Sequence, residues 1–176
     1  MQYISSDTNV WIDFFSIDRL QLPFRLPYTF IMYEDTIKNE LIKPANLGEL
    51  LMESGLKSID VSIEEYMLAE QYNARYRKTS IHDCMALAVA KERNITLLTG
   101  DGALRKAAEV EGVSVIGTIG ILDQLLEEDF IDIKEYRECL ESFEELNGGI
   151  VRLPKSAIKE RLDKTKKYNI LCSKNK

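Results

Sequence analysis

The chain reads as an α/β protein: a three-layer α/β/α sandwich with a central parallel sheet, plus a C-terminal helical extension. Three observations predict this. Short runs rich in β-branched and aromatic residues alternate with helical stretches from Tyr3 to Glu128, the pattern of strands joined by crossover helices. Ile95 to Thr99 is a brief apolar run bounded by Asn94 and Gly100, as fits a strand buried on both faces. The helix between Ser80 and Asn94 carries Met85, Leu87, Ala88, Val89 and Ala90, apolar almost all round, which calls for burial.

Taken in order, Tyr3–Ser6 is a short strand. Asp7-Thr8-Asn9 leads from it into Val10-Trp11-Ile12-Asp13-Phe14-Phe15, which has helical spacing. Residues 19–27 hold two prolines and no clean period, so they read as a loop with a short helical turn. Tyr28–Tyr33 is the second strand. A helix from Asp35 to Ile42 carries Glu40 and is broken at Pro44, and Asn46–Ser54 is another, stopped by Gly55. Ser58–Val61 is a brief strand. Ser62 with Glu65 forms a capping box that opens a helix running to about residue 77. Ser80 caps the buried helix, Ile95–Thr99 follows as a strand, and a further helix begins beside Asp101. Val113–Gly117 is a strand and Ile119–Glu128 a helix. Beyond Phe130, Lys134–Leu146 is amphipathic, Asn147-Gly148-Gly149 is a break, and Pro154 opens a last helix. The division is a domain over residues 1–130 and a helical extension with a basic tail over residues 131–176.

Composition bounds the function. At 176 residues, 45% hydrophobic and 30% charged, the chain can bury a substantial core and is not disordered. Its three cysteines, Cys84, Cys139 and Cys172, form no Cys-x-x-Cys pair, and the single His82 completes no zinc-ligand spacing, which argues for a reducing compartment. The N-terminus has neither a basic nor an apolar leader segment, and no apolar run is long enough to span a bilayer. A cytoplasmic protein without membrane contact is expected. Residues 151–176 hold 9 Lys and Arg against 2 acids, leaving 14 basic and 27 acidic residues elsewhere. So acidic a body is no non-specific nucleic-acid coat, but carboxylates that bind divalent cations can accept a phosphodiester once the cation is bound.

Four acids stand out by position: Asp7 after the first strand, Glu40 in the helix after the second, Asp83 in the first turn of the buried helix, and Asp101 after the next strand. In an open α/β sheet such positions face the crevice at the strand ends where ligands bind. The segments Asp7-Thr8-Asn9, Lys38-Asn39-Glu40-Leu41, the run from His82 to Ala88, and Leu97-Leu98-Thr99-Gly100-Asp101 together resemble the PIN domain. That nuclease family includes the VapC-type toxins of toxin–antitoxin pairs, and the resemblance spans residues 1 to about 125. It implies a Mg²⁺- or Mn²⁺-dependent phosphodiesterase acting on single-stranded RNA. Asp7, Glu40 and Asp83 would be the principal metal ligands, Asp101 the fourth acid, and Asn9 and Thr99 the residues that orient them. A homodimer and an antitoxin protein are the partners it implies.

Each acid also has a local use. Asp7 and Asp101 precede helices and suit N-caps, Asp83 fills the acidic place of a capping box with Ser80, and Glu40 suits a surface pair with Lys43. His82 reads as a bystander near the mouth of the site, and Trp11, Phe14 and Phe15 as core. Arg75, Arg77 and Lys78, interleaved with Tyr76, are candidate phosphate contacts or a solvated helix end. Two other readings compete. One is a PIN-like binding module without catalysis. The other is a phosphatase of the haloacid-dehalogenase type, against which Asn9 stands where that family needs a second aspartate.

Overall fold

The computed structural model describes residues 2–42 and 44–173, with side chains as far as residue 166. Lys43 as a partner for Glu40, the Cys172 side chain and the basic residues beyond 173 lie outside the described residues. The elements are β1 (Gln2–Ser6), α1 (Asn9–Ser16), a 3-10 turn (Leu22–Arg25), β2 (Tyr28–Tyr33), α2 (Glu34–Glu40), α3 (Leu47–Ser54) and β3 (Lys57–Ile59). There follow α4 (Ile63–Arg75), α5 (Ile81–Glu92), β4 (Thr96–Leu98), α6 (Gly102–Val110), β5 (Val115–Ile116), α7 (Thr118–Glu127), α8 (Ile133–Leu146) and α9 (Lys155–Ser173). The five strands form one parallel sheet in the order β3-β2-β1-β4-β5, the center of the α/β/α sandwich that the sequence predicts.

Two compact units are present. The first comprises Met1–Trp11 and Pro27–Gly117 and holds the whole sheet with α2 to α6. The second comprises Ile12–Leu26 and Thr118–Lys176. In the first, β1 is central: Ile4 pairs with Phe30 of β2 on one side and Thr96 of β4 on the other. A central strand has no water for its polar side chains, so Ser5 and Ser6 bond inward. Ser5 Oγ donates to the Ala86 carbonyl at 2.8 Å and Ser6 Oγ to the Ile31 carbonyl at 3.1 Å. The all-round apolar α5 is buried at every position from Cys84 to Ala90 and packs with Leu97, Leu104, Ala107 and Ala108. Trp11 meets Phe30 edge to face at 5.2 Å.

Strands come out shorter than the apolar runs that signal them. Ile95–Thr99 contributes only Thr96–Leu98, because Ile95 is still tied to the end of α5, its N–H bonding the Ala90 carbonyl at 2.9 Å. At the other end Thr99 turns toward α6. The α5 stop is at Asn94 as read, in the left-handed conformation at φ 51. The helix from Ser62 has the expected capping box but ends at Arg75, two residues early: the Tyr76 N–H bonds back to Tyr72 at 2.7 Å and Thr79 Oγ1 donates to the freed Tyr76 carbonyl at 2.7 Å. Glu65 of that box is also gripped by Arg93, whose Nε donates at 2.6 Å, an ion pair tying the start of α4 to the end of α5.

In the second unit, Phe14 packs edge to face on Phe143 at 5.8 Å. Arg161 of α9 clasps Asp123 of α7 in a forked pair, Nε at 2.8 Å and Nη2 at 2.5 Å. The narrow apolar stripe of α9 is buried through Ile158 and Leu162, with Lys164 and Lys166 exposed. Asp13 is buried here and accepts from Thr118 Oγ1 at 2.5 Å; burial pushes its carboxyl up to about 6. Among the described residues no helix is long and apolar enough to cross a membrane. Cys84 and Cys139 are free and buried.

Leu87 is fully buried where α5 meets the sheet. Leu87→Ala should lower unfolding free energy by about 2–5 kcal/mol, read as a lower urea midpoint with an unchanged slope. A loss below about 0.5 kcal/mol would show that α5 is not the core helix.

Candidate active site

The strand order reverses between β1 and β4, so the loops leaving their C-terminal ends diverge and open a crevice. Asp7 sits at that point. Its N–H still donates to the Leu98 carbonyl of β4 at 3.0 Å, which delivers the side chain to the sheet edge at only 3% exposure. Oδ1 accepts from the Thr8 N–H at 2.6 Å, and Oδ2 accepts from Asn9 Nδ2 and from Thr99 Oγ1, each at 2.7 Å. These two donors are fixed in turn. Asn9 Oδ1 accepts from the Gly100 N–H at 2.8 Å and Thr99 Oγ1 from the Asp101 N–H at 3.0 Å. A Cβ at position 100 would lie 3.2 Å from Asn9 Oδ1, so glycine lets the β4–α6 loop close on Asn9.

The other acids reach the same neighbourhood from helix ends. Glu40 is the last residue of α2, half-buried, with Oε2 3.3 Å from Thr8 Oγ1, which is also 3.4 Å from Asp7 Oδ1. Asp83 is in the first turn of α5, where Oδ2 accepts from the Ser80 N–H at 2.7 Å. Asp101 is the N-cap of α6, and Oδ1 accepts from the N–H groups of Ala103 at 2.8 Å and Leu104 at 2.7 Å. The local uses therefore exist for Asp83 and Asp101, each through one oxygen. For Asp7 the cap does not: its oxygens are taken by Thr8, Asn9 and Thr99, two of them side-chain partners brought in from other positions.

Electrostatics marks the group as crowded. Burial, then the Asp83 charge, pushes the Asp7 carboxyl up to about 7 against the opposing bonds from Thr99 and Thr8. Burial also raises Glu40, with His82 pulling down and Asp83 pushing up. Asp83 is raised by burial too, against its Ser80 bonds, with Asp101 adding to the rise. The four acids thus act on one another through space along the chain Asp101, Asp83, Asp7 and Glu40. Among the described residues no group of three or more His, Cys, Asp and Glu could hold a metal ion as the side chains stand. The donors themselves fit a hard divalent cation: they are all carboxylate oxygens, and like charges held this near favour a cation among them.

Two residues of this neighbourhood escaped the sequence reading. Thr8 stands between two acids. Thr36 is buried on α2, one turn before Glu40, and its Oγ1 lies 3.0 Å from His82 Nδ1, fixing the imidazole beside Glu40 and Asp83. The spacing of Thr36 and Glu40 puts them on one helix face, the signal that could have found it. Of the basic candidates, Arg75 pairs with Glu111 at 2.8 Å and lies over the Tyr76 ring at 5.9 Å, whereas Arg77 and Lys78 are exposed in the turn before α5.

The raised Asp7 value has a definite sign. Between about pH 4 and 7 the folded chain holds a proton that the unfolded chain has released, so stability falls as pH rises through that window, by on the order of 4 kcal/mol for this group. The metal-free protein should melt lower at pH 8 than at pH 5. Asp7→Asn should remove the Asp7 share of the fall, leaving that of Asp13, and melt higher than the parent at pH 8. A parent whose melting temperature rises from pH 5 to pH 8 contradicts this burial of charge.

No curated protein and no solved structure matches the chain. A family model described as a PIN domain does match, over residues 3–167. Because that match takes in nearly the whole sequence, including every acid at the crevice, the chain belongs to the PIN-domain family, whose members are in general metal-dependent nucleases.

Proposed function

We propose that the protein is a Mg²⁺- or Mn²⁺-dependent ribonuclease that hydrolyses single-stranded RNA at the crevice formed by Asp7, Glu40, Asp83 and Asp101. The observation that carries this reading is Asp7: a carboxylate buried beside other acids, raised to about 7, and held by donors on both oxygens. A buried charge that costs so much is retained where it has a ligand to meet. Membership of the family supports the reaction class. Because the PIN-domain family includes the VapC-type toxins, we read the chain as a cytoplasmic toxin of a toxin–antitoxin pair, with an antitoxin protein and a second copy as partners.

Asp7, Glu40 and Asp83 would hold the cation, with Asp101 beside them. A divalent cation in such a site polarises a phosphoryl oxygen, lowers the pKa of a bound water and stabilises the departing oxygen. The chain's own part is positioning. Asn9 and Thr99 donate to Asp7 Oδ2 and so favour its ionised form, the form that binds metal. Thr8 keeps one hydroxyl between Asp7 and Glu40. Asp83 accepts from the Ser80 N–H and Asp101 from the N–H groups of Ala103 and Leu104, so helix capping orients both carboxylates. The N-terminal ends of α5 and α6 add partial positive charge for an incoming phosphate.

Saturating Mn²⁺ at 100 times its dissociation constant should stabilise the fold by about 3 kcal/mol, seen as a raised melting temperature. Asp7→Asn and Asp83→Asn should fold, lose that rise, and cut a labelled single-stranded RNA roughly a thousandfold more slowly, the equivalent of about 4 kcal/mol. Asp101→Asn keeps its capping bond and should lose about 10–100-fold. Parental metal-dependent cutting by a folded Asp7→Asn protein would sink the assignment.

A further inference from the structure

A cleft of about 480 Å³ runs along α6, lined by Gly102, Arg105, Lys106, Glu109, Val113 and Val115. The four α6 residues are spaced three and four apart, so they share one helix face. Gly102, which lines one end of the cleft, directly follows Asp101 in the chain. Its volume lies in the range of small-molecule and nucleotide sites, roughly 300–1,000 Å³.

Its cations are uncommitted. Arg75 is paired with Glu111, Arg93 with Glu65 and Arg161 with Asp123, but among the described residues neither Arg105 nor Lys106 pairs with an acid. Arg105 is nonetheless held in place: Nη1 donates to the Thr99 carbonyl at 3.0 Å. Space is left for it, since a Cβ at Gly117 would come within 2.9 Å of that nitrogen. One of five guanidinium donors is spent on the backbone, leaving a pre-oriented fork. Thr99 connects this fork to the crevice, because its carbonyl accepts from Arg105 while its hydroxyl donates to Asp7 at 2.7 Å. Glu109, at the end of the lining away from Gly102, repels a phosphate there, and Val113 and Val115 offer an apolar wall.

We propose that this cleft is a nucleotide subsite, taking one nucleotide of single-stranded RNA next to the scissile phosphodiester, with its phosphate on Arg105 and Lys106 and its base on Val113 and Val115. It rests on the ribonuclease reading for the identity of the strand, and it explains how an acidic body holds one. The phosphate contacts come from α6, not from Arg75, whose charge Glu111 already engages.

Fluorescence anisotropy of a labelled oligouridylate on the full chain, with Ca²⁺ in place of Mg²⁺ and Mn²⁺, tests this. Lys106→Glu and Arg105→Ala should each weaken binding about tenfold and reduce the slope of log affinity against log salt by about 0.7 per lost contact. Gly117→Ala keeps both charges but displaces the guanidinium, and should weaken binding as well. Lys106 is exposed and makes no hydrogen bond among the described residues, so Lys106→Glu should retain the parent's melting temperature. Parental affinity and salt slope in both Lys106→Glu and Arg105→Ala would overturn the subsite, whether or not the protein cuts RNA. A wild-type chain that fails to cut RNA with any metal, yet binds it through Arg105 and Lys106, would refute the ribonuclease reading and keep the subsite.

Discussion

The crevice depends on the burial of one carboxylate. Asp7 follows a central strand paired on both sides, and its own N–H bonds to β4, so the carboxylate reaches the sheet edge almost fully buried, at 3% exposure. Desolvation disfavors its charge, and the nearby Asp83 disfavors it further. Only the donors of Thr8, Asn9 and Thr99 oppose this. The two residues that follow Asp7 in the chain and one from a distant strand end therefore share one purpose: each supplies a hydrogen bond that an ionised Asp7 requires. The same bonds leave Asp7 little freedom, because both of its oxygens are held by donors.

Strand order explains why residues so far apart in the chain assemble. The path runs outward through β1, β2 and β3 and returns to lay β4 against the other side of β1. The loops after β1 and β4 then leave from adjacent strand ends, carrying Asp7 and Asp101, while α2 and α5 bring Glu40 and Asp83. Asp83 and Asp101 each have a structural role as helix caps beside the crevice. Each satisfies backbone N–H groups that every helix start leaves unpaired. The capping bonds also fix the side-chain direction, which gives the acid a preset geometry.

Charge is partitioned with the same economy. In the first unit Glu111 gathers Arg75, Tyr72 and Tyr76, and Glu65 takes Arg93, so these groups stabilise the joints among α4, α5 and α6. In the second, Asp123 gathers Arg161 and Tyr136. Such pairing neutralises most arginines locally and leaves Arg105 and Lys106 of α6, like Arg77 and Lys78 before α5, without an acidic partner among the described residues. Acidic composition by itself says little about affinity for a polyanion; what counts is which cations remain unpaired and where they lie.

Much was legible in the sequence because its signals are local. The period of α5, the capping boxes at Ser62 and Ser80, the stop at Asn94 and the strand of Tyr28–Tyr33 follow from propensity and spacing within a few residues, and the structure has them in place. Asp7, Asp83 and Asp101 could be singled out because each follows a strand or opens a helix, which local pattern reveals, whereas Glu40 was read inside a helix to Ile42 and the structure ends that helix at Glu40 itself. Strand ends were less legible: Ile95 stays tied to Ala90 at the end of α5, and Thr99, though its N–H still reaches Ile116, gives its hydroxyl to Asp7 from a distant part of the chain. Only the tertiary structure decided that Asp7 is no helix cap, that Thr8 and Thr36 belong beside the acids, that Arg75 is taken by Glu111, and that Arg105 is anchored on Thr99. Each of those is a contact between elements, fixed by strand order and packing, and hydrogen-bond partners from distant parts of a chain leave no periodicity by which to be read.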